Sequence, residues 1–172
     1  MNLHHRPATV DDFAALHRLY NLEREVNHQI GWDATDEAGF RAIFDEMIAS
    51  GEQFVVCDGG REGGSDGGVI GAYRVHRFAH RMRHVAHIAS VGLMGAHQGK
   101  GIGRRMMEGI IERLKGEGIK RIELTVAGDN PRAMWLYESL GFAREGVFPK
   151  YFLRAGEDEY KDEVAMGMWV GE

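Results

Sequence analysis

Apolar residues in the first part of the chain recur at helical spacing. Phe13, Leu16, Leu19 and Tyr20 fall on one face of a segment over 11–26, with Asp11 and Asp12 in its first turn and Thr9 placed to cap it. Phe40, Ile43, Phe44 and Met47 repeat the pattern over 36–50. "LHHRPATVDDFAALHRLYNLEREV" opens with a short strand candidate, and "QFVVCD", "VIGAYRVHRF" and "HVAHIASVGLM" read as strands. "GGREGGSDGG" (59–68) holds six glycines and no large apolar residue, which predicts a mobile hairpin loop. Helical period returns over 101–115, where Ile102, Met106, Ile110 and Leu114 share a face. "KRIELTV" is a strand, and "DNPRAMWLYESLGF" is a short helix with both ends marked. Asn130 caps it, Pro131 takes its first position and Gly141 closes it. "YFLRAGEDEYKDEVAMGMWV" forms a closing hairpin that turns near 155–159. The order predicts one mixed α/β domain over 1–172, with an antiparallel front half and a helix crossover in the middle. No internal repeat or linker interrupts it.

Composition narrows the partners. A net charge of −5 disfavours nucleic acid and anionic membrane. The single cysteine, Cys57, excludes an internal disulfide and suits a reducing compartment. No apolar run is long enough to span a bilayer, and "MNLHHRPATVDD" lacks the apolar core of a signal peptide. These features predict a cytoplasmic protein.

The informative stretch is "HQGKGIGRRMMEGIIERL", where Gly99, Gly101 and Gly103 directly precede or open a helix. Glycines there let an anion reach the unpaired N–H groups and positive dipole of the helix start. A tight turn that needs glycine for its φ angles is the competing explanation. A Walker A loop is excluded, because Met94 and Gly101 stand where glycine and Ser/Thr are required. A dinucleotide fingerprint fails as well, since Arg104 or Met106 stands where its third glycine belongs.

What remains is Gln98-Gly99-Lys100-Gly101-Ile102-Gly103 after the strand "SVGLM", followed later by Asn130 and by Ala133, Leu136, Tyr137, Gly141 and Phe142 in "NPRAMWLYESLGF". This pair of motifs resembles the GNAT superfamily of N-acetyltransferases, over roughly 85–170. The tail looks most like the bacterial branch acting on amino acids, protein N-termini or polyamines. The resemblance implies a GNAT fold: a central mixed sheet of six to seven strands with splayed middle strands, flanked by about four helices. It also implies acetyl-CoA as co-substrate and no metal. The backbone of 98–104, including Gln98, Gly99, Lys100, Gly101, Ile102, Gly103 and Arg104, would cradle the pyrophosphate. Val91 and Leu93 would flank the pantetheine, with the Leu93 N–H as oxyanion donor and its side chain in the core. The neighbouring strand over 122–126 would splay away. Asn130 would contact the cofactor arm or serve only as a helix cap.

Direct transfer needs a group to take the amine's proton and one to meet the departing thiolate. Tyr137 is the candidate for the thiolate; its helical face makes plain core packing the alternative. His87 is the candidate base, with Ile88 in its place if the register slips by one, and His84 or a water chain as further alternatives. Cys57 reads as core. His76, His80, His84 and His87 have helical spacing but lie in strand and loop, so a zinc site is not expected. The implied partner is a small primary amine, met by 27–37, where Trp32, Asp33 and Asp36 suit a cation, and by the closing hairpin. A protein N-terminus is the alternative acceptor, and a non-catalytic acyl-CoA sensor the alternative class. The resemblance leaves room for a homodimer.

Overall fold

The computed structural model describes residues 2–59 and 68–171. Most of the glycine-rich loop expected over 59–68 therefore lies outside the described residues. Seven strands form one sheet: β1 (Leu3–Pro7), β2 (Gln53–Asp58), β3 (Val69–Arg77), β4 (Val85–Leu93), β5 (Arg121–Ala127), β6 (Ala143–Phe152) and β7 (Lys161–Trp169). Their order across the sheet is β1-β2-β3-β4-β5-β7-β6. β1, β2 and β3 pair antiparallel, and β4 pairs parallel with β5. The connection between those two is α4 (Ile102–Gly116). The expected antiparallel front and middle crossover are both present.

The chain divides into two compact units. The first comprises the residues up to Val75 together with Ser90–Met106. Its core gathers Leu16, Leu19, Tyr20, Val26, Phe40, Phe44, Met47, Val55, Ala72 and Met94. These are the apolar positions of the two predicted N-terminal helices and the inward positions of the strands, buried because nothing else hides that surface from water. α3 (Glu37–Ser50) starts where Asp36 accepts a hydrogen bond from the Gly39 N–H at 2.8 Å, and it ends at Gly51 with φ 66°.

The first predicted helix is not continuous. It enters through a 3-10 turn at Val10–Asp12, runs as α1 over Phe13–His17, widens into a π turn at Arg18–Leu22, stops at Glu23 and resumes as α2 over Arg24–Asn27. The expectation of one helix over 11–26 is thus corrected, and the helix count rises to five. Long-range polar contacts at the interruption account for it. Asn21 accepts a hydrogen bond from the Thr35 N–H at 3.1 Å and donates to the His17 carbonyl at 3.1 Å. Glu23 accepts from the Gly95 N–H at 3.2 Å. Periodicity alone cannot register such partners.

The second unit comprises His76–Ala89 and the residues from Met107 onward. Ile122, Leu124 and Val126 of β5 are buried, as are Val164 and Met166 of β7. The intervening β5 residues Arg121, Glu123 and Thr125 are partly or fully exposed. One face of this half of the sheet is therefore apolar and the other polar. α5 (Pro131–Ser139) begins as expected, with Asn130 accepting from the Ala133 N–H at 3.1 Å.

The entry to α1 rests on a buried carboxylate. Asp12 is 3% exposed and takes both arms of the Arg6 guanidinium at 2.7 Å, together with the Thr9 N–H at 2.8 Å. Burial pushes the Asp12 carboxyl up, but the Arg6 fork and the Thr9 N–H outweigh it and leave it below its ordinary value. A lowered carboxyl contributes stability above its unfolded pKa of about 3.9 and loses it as pH falls through the folded value. Asp12→Asn is therefore expected to cost about 2 kcal/mol at pH 7. Urea unfolding at pH 7 and pH 3 should show that difference shrink at the lower pH. An equal difference at both would remove the ion pair from the account.

Candidate active site

The glycine stretch forms a turn into α4 in the first unit. Gly99 has φ 72° and Gly101 φ 75°, both left-handed, so side chains there would be strained. A Cβ at either position would meet no atom of the chain within 4 Å. The turn is therefore open rather than crowded by the protein. The Arg105 N–H reaches the Gly101 carbonyl at 3.3 Å and closes the first helical turn. The N–H groups of Ile102 and Gly103 come before that closure, at the positive end of a 15-residue helix.

Two predicted residues turn out to hold this turn in place. Gln98 donates from its side-chain amide to the Leu93 carbonyl at 2.8 Å, tying the turn to the end of β4. Lys100 folds back, its Nζ donating to the Ala96 carbonyl at 2.8 Å. Val91 and Leu93 lie on the last part of β4. The Leu93 side chain is only half-buried, while Gly92 and Met94 are the buried members of this stretch. The expectation of Leu93 as core is corrected accordingly. Gly92 is the reason: a Cβ there would come within 2.7 Å of Val26 Cγ1, so helix α2 already occupies that side of the strand.

The register of β4 with β5 runs from Val85↔Arg121 to Ile88↔Leu124. β4 continues to Leu93, and β5 to Ala127. Val91 and Leu93 thus lie beyond the paired stretch, as the splayed arrangement requires.

The second unit carries the remaining candidates. Asn130 and Tyr137 both belong to α5 and its cap. The Tyr137 ring is buried and meets Phe142 edge-on at 5.9 Å. Burial alone pushes its hydroxyl up to about 12, so the proton is firmly held at neutral pH. Asn130 acts as the N-cap, and its neighbour Asp129 is gripped by Arg154 through two bonds of 2.8 and 3.0 Å. Sequence reasoning missed Arg154, because its partner is distant along the chain.

His87 is half-buried on β4 and pairs in register with Glu123, whose carboxylate lies 3.8 Å from Nδ1. Ile88 is buried, so of the two residues His87 is the one that presents a polar side chain. Burial lowers the His87 pKa, Glu123 pulls it back up, and His76 lowers it further. The net result is a neutral imidazole at pH 7. Glu163 on β7 is a second carboxylate of this half, raised chiefly by burial and held back by the Thr125 hydroxyl. Neither Glu123 nor Glu163 was singled out from sequence, although the alternation in "RIELTV" marks the polar face of β5.

Other expectations resolve individually. Cys57 is partly buried in β2, and burial pushes its thiol up, away from nucleophilic use. Asp36 is committed to capping α3. The Trp32 ring lies edge-on to Tyr20 at 5.4 Å. His84 lies against Trp169 and His76 against Phe78. Among the described residues no three His, Cys, Asp or Glu side chains are grouped to hold a metal, and no helix is long and apolar enough to cross a membrane.

Comparison with known proteins agrees with this geometry. The model of the Acetyltransferase (GNAT) family matches residues 13–142, and the chain belongs to that family. It is 34% identical over 119 residues to N-alpha-acetyltransferase RimI of Mycobacterium tuberculosis, spanning 69% of this chain and 70% of that protein. The fold is also that of spermidine N-acetyltransferase from Vibrio cholerae, solved with CoA and spermine. That likeness has a TM-score of 0.79 and 23% identity, over 97% of this chain and 95% of the other. A phosphinothricin acetyltransferase from Sinorhizobium meliloti, solved with AcCoA, shares the fold as well. Its TM-score is 0.74 at 22% identity, over 100% of this chain and 90% of the other.

The His87 environment can be tested directly. An NMR titration is expected to give His87 a midpoint below the ordinary 6.5. Glu123→Gln removes the contribution that raises it, so the midpoint should fall further. A rise on that substitution would contradict the electrostatic account.

Proposed function

We propose that the whole chain, as one acetyltransferase domain, moves an acetyl group from the thioester of acetyl-CoA directly to a primary amine. The observation that carries this is the open turn at Gly99 and Gly101 ahead of α4 in a chain of the GNAT family. A pyrophosphate fits that turn: the Gln98 N–H is given to the Gly95 carbonyl, but the backbone N–H groups of 99–104 supply donors, the helix end supplies favourable potential, and no Cβ intrudes. Val91 and Leu93 offer backbone groups to the pantetheine, the Leu93 N–H serving the carbonyl oxygen as it gains charge. Asn130 contacts the cofactor arm in addition to capping α5.

His87 takes the proton that the amine nitrogen loses as it bonds to the acetyl carbon. Its lowered pKa keeps it in the accepting form down to mildly acidic pH. Tyr137 meets the sulfur as the carbon–sulfur bond breaks. A hydroxyl at about 12 does not readily surrender its proton to a thiolate of ordinary pKa about 8.5, so its part is a charge-assisted hydrogen bond, and the thiol's proton comes from solvent. Our first reading of the acceptor is a small primary amine such as an amino acid or polyamine. The likeness to RimI over 70% of that protein favours a protein N-terminus as the second.

Saturating acetyl-CoA is expected to stabilise the chain by about 2.7 kcal/mol at a hundred times its Kd, read as a raised Tm. Free CoA should then be released with one member of a panel of amino acids, polyamines and peptides with free N-termini. Gly101→Glu should abolish the Tm shift while costing the unliganded fold only about 1–2 kcal/mol for the left-handed φ. No shift and no calorimetric binding by the wild-type chain would overturn the assignment; binding without CoA release from any amine would favour the sensor.

Tyr137→Phe keeps the ring against Phe142 and deletes the hydroxyl. Loss of a charge-assisted hydrogen bond worth about 1.5–3 kcal/mol predicts a single-turnover rate lower by about 10- to 150-fold. Acetyl-CoA affinity should be little changed. Wild-type turnover in this variant would make Tyr137 a core residue only.

A further inference from the structure

Ser90 is a non-glycine residue with φ 50°, inside strand β4 and just past the last pair with β5. A serine adopts this conformation in mid-strand only when its surroundings over-determine it. The Tyr20 hydroxyl donates to the Ser90 carbonyl at 2.9 Å. Tyr20 is fully buried, and its hydroxyl accepts a hydrogen bond from Gln53 Nε2 at 3.1 Å. Gln53 is itself 2% exposed, and the same amide nitrogen reaches the Phe54 and Tyr73 carbonyls at 3.2 and 3.1 Å. Tyr20 lies in the π turn Arg18–Leu22, and Trp32 holds its ring edge-on. The Asn27 side chain donates to the Tyr20 carbonyl at 2.9 Å. Ring, backbone and hydroxyl are thus each fixed separately.

We propose that Tyr20 is a positioning residue. Its hydroxyl, oriented by Gln53, holds Ser90 in the left-handed conformation and so aims the backbone of Val91–Leu93. This rests on the reading of that segment as the pantetheine and oxyanion strand. The link continues along the chain, because the Leu93 carbonyl receives the Gln98 amide at the head of the glycine turn. Tyr20 touches no substrate in this account and acts only through the strand. Tyr20 lies on the buried face of the first helical segment, and from the π turn its hydroxyl reaches Ser90.

The test uses Tyr20→Phe, Ser90→Gly and the double variant, with acetyl-CoA as the probe. Wild-type binding is measured first, since its absence would defeat the functional reading and not this one. Tyr20→Phe preserves the ring; its acetyl-CoA Kd is expected to rise about tenfold, a shift of about 1.4 kcal/mol. Its single-turnover rate should fall as well. Ser90→Gly alone should bind as wild type. In the double variant glycine adopts the positive φ without being held, so much of the affinity should return even though the hydroxyl is still absent. A purely structural role for Tyr20 predicts no such rescue, because glycine at 90 repairs no packing around the ring. If Tyr20→Phe proves too unstable to assay, the double variant alone serves: a folded double variant is expected to bind within the wild-type range, and a folded one that does not bind overturns the proposal. Wild-type affinity and rate in Tyr20→Phe, or the absence of rescue, overturns it equally.

Discussion

The turn of β4 at Ser90 is the constraint on which much else depends. A left-handed L-residue costs roughly 1–2 kcal/mol, and a single buried hydrogen bond returns about 1 kcal/mol net. The Tyr20–Ser90 bond of 2.9 Å therefore comes close to balancing the strain without exceeding it. The margin comes from packing. Leu19 and Val26 lie against the backbone of Gly92, and a side chain there would collide with Val26. From Ser90 a continuous series of contacts runs through Leu93 and Gln98 into the Gly99 turn and the start of α4. Strand end and helix start are thus placed by the same small set of bonds. The first unit's helices do more than cover the sheet: they set the geometry of the strand that bears the candidate oxyanion donor.

Burial shifts the pKa values of His87 and Tyr137 in opposite directions. Desolvation disfavours charge on each. For the imidazole that means the neutral, proton-accepting form at pH 7; for the phenol it means a retained proton, available as a donor. Glu123 opposes the effect at His87. In the proposed transfer these are the states in which an imidazole can accept a proton and a phenol can donate a hydrogen bond.

Much of this was legible in the sequence because it depends on local signals. Six of the strands, α3, α4 and α5 follow from local pattern, and the cap at Asn130 and the glycine turn follow from residue chemistry; the closing hairpin is expected to start at Tyr151, whereas β6 already runs over Ala143–Phe152. What escaped depends on partners far along the chain. The π turn and the break at Glu23 answer to Thr35, Gly95 and Ser90. The grip of Arg154 on Asp129 joins a hairpin to a helix cap 25 residues away. Leu93 failed as a core residue because Val26 takes the inner side of Gly92, a matter of packing that hydrophobicity alone does not reveal. Helical periodicity over 11–26 registered the buried face correctly and missed the interruption, because a π turn preserves burial while shifting phase.

The outer edge of the sheet bears on how an acceptor can be recognised. β6 ends the strand order and is exposed over nearly its whole length, with Val147, Phe148 and Tyr151 among its apolar residues. Such an edge would invite another chain to pair with it. It is interrupted, however, where its register with β7 jumps from Phe148↔Glu163 to Phe152↔Lys161. In that gap Pro149 has no N–H to offer, and Lys150 has φ 53° with its own N–H given to Asp162 at 2.8 Å. A proline, a lysine and a bulge at one place are the devices that prevent strand addition. Backbone pairing along β6 is therefore a poor way to hold a long peptide.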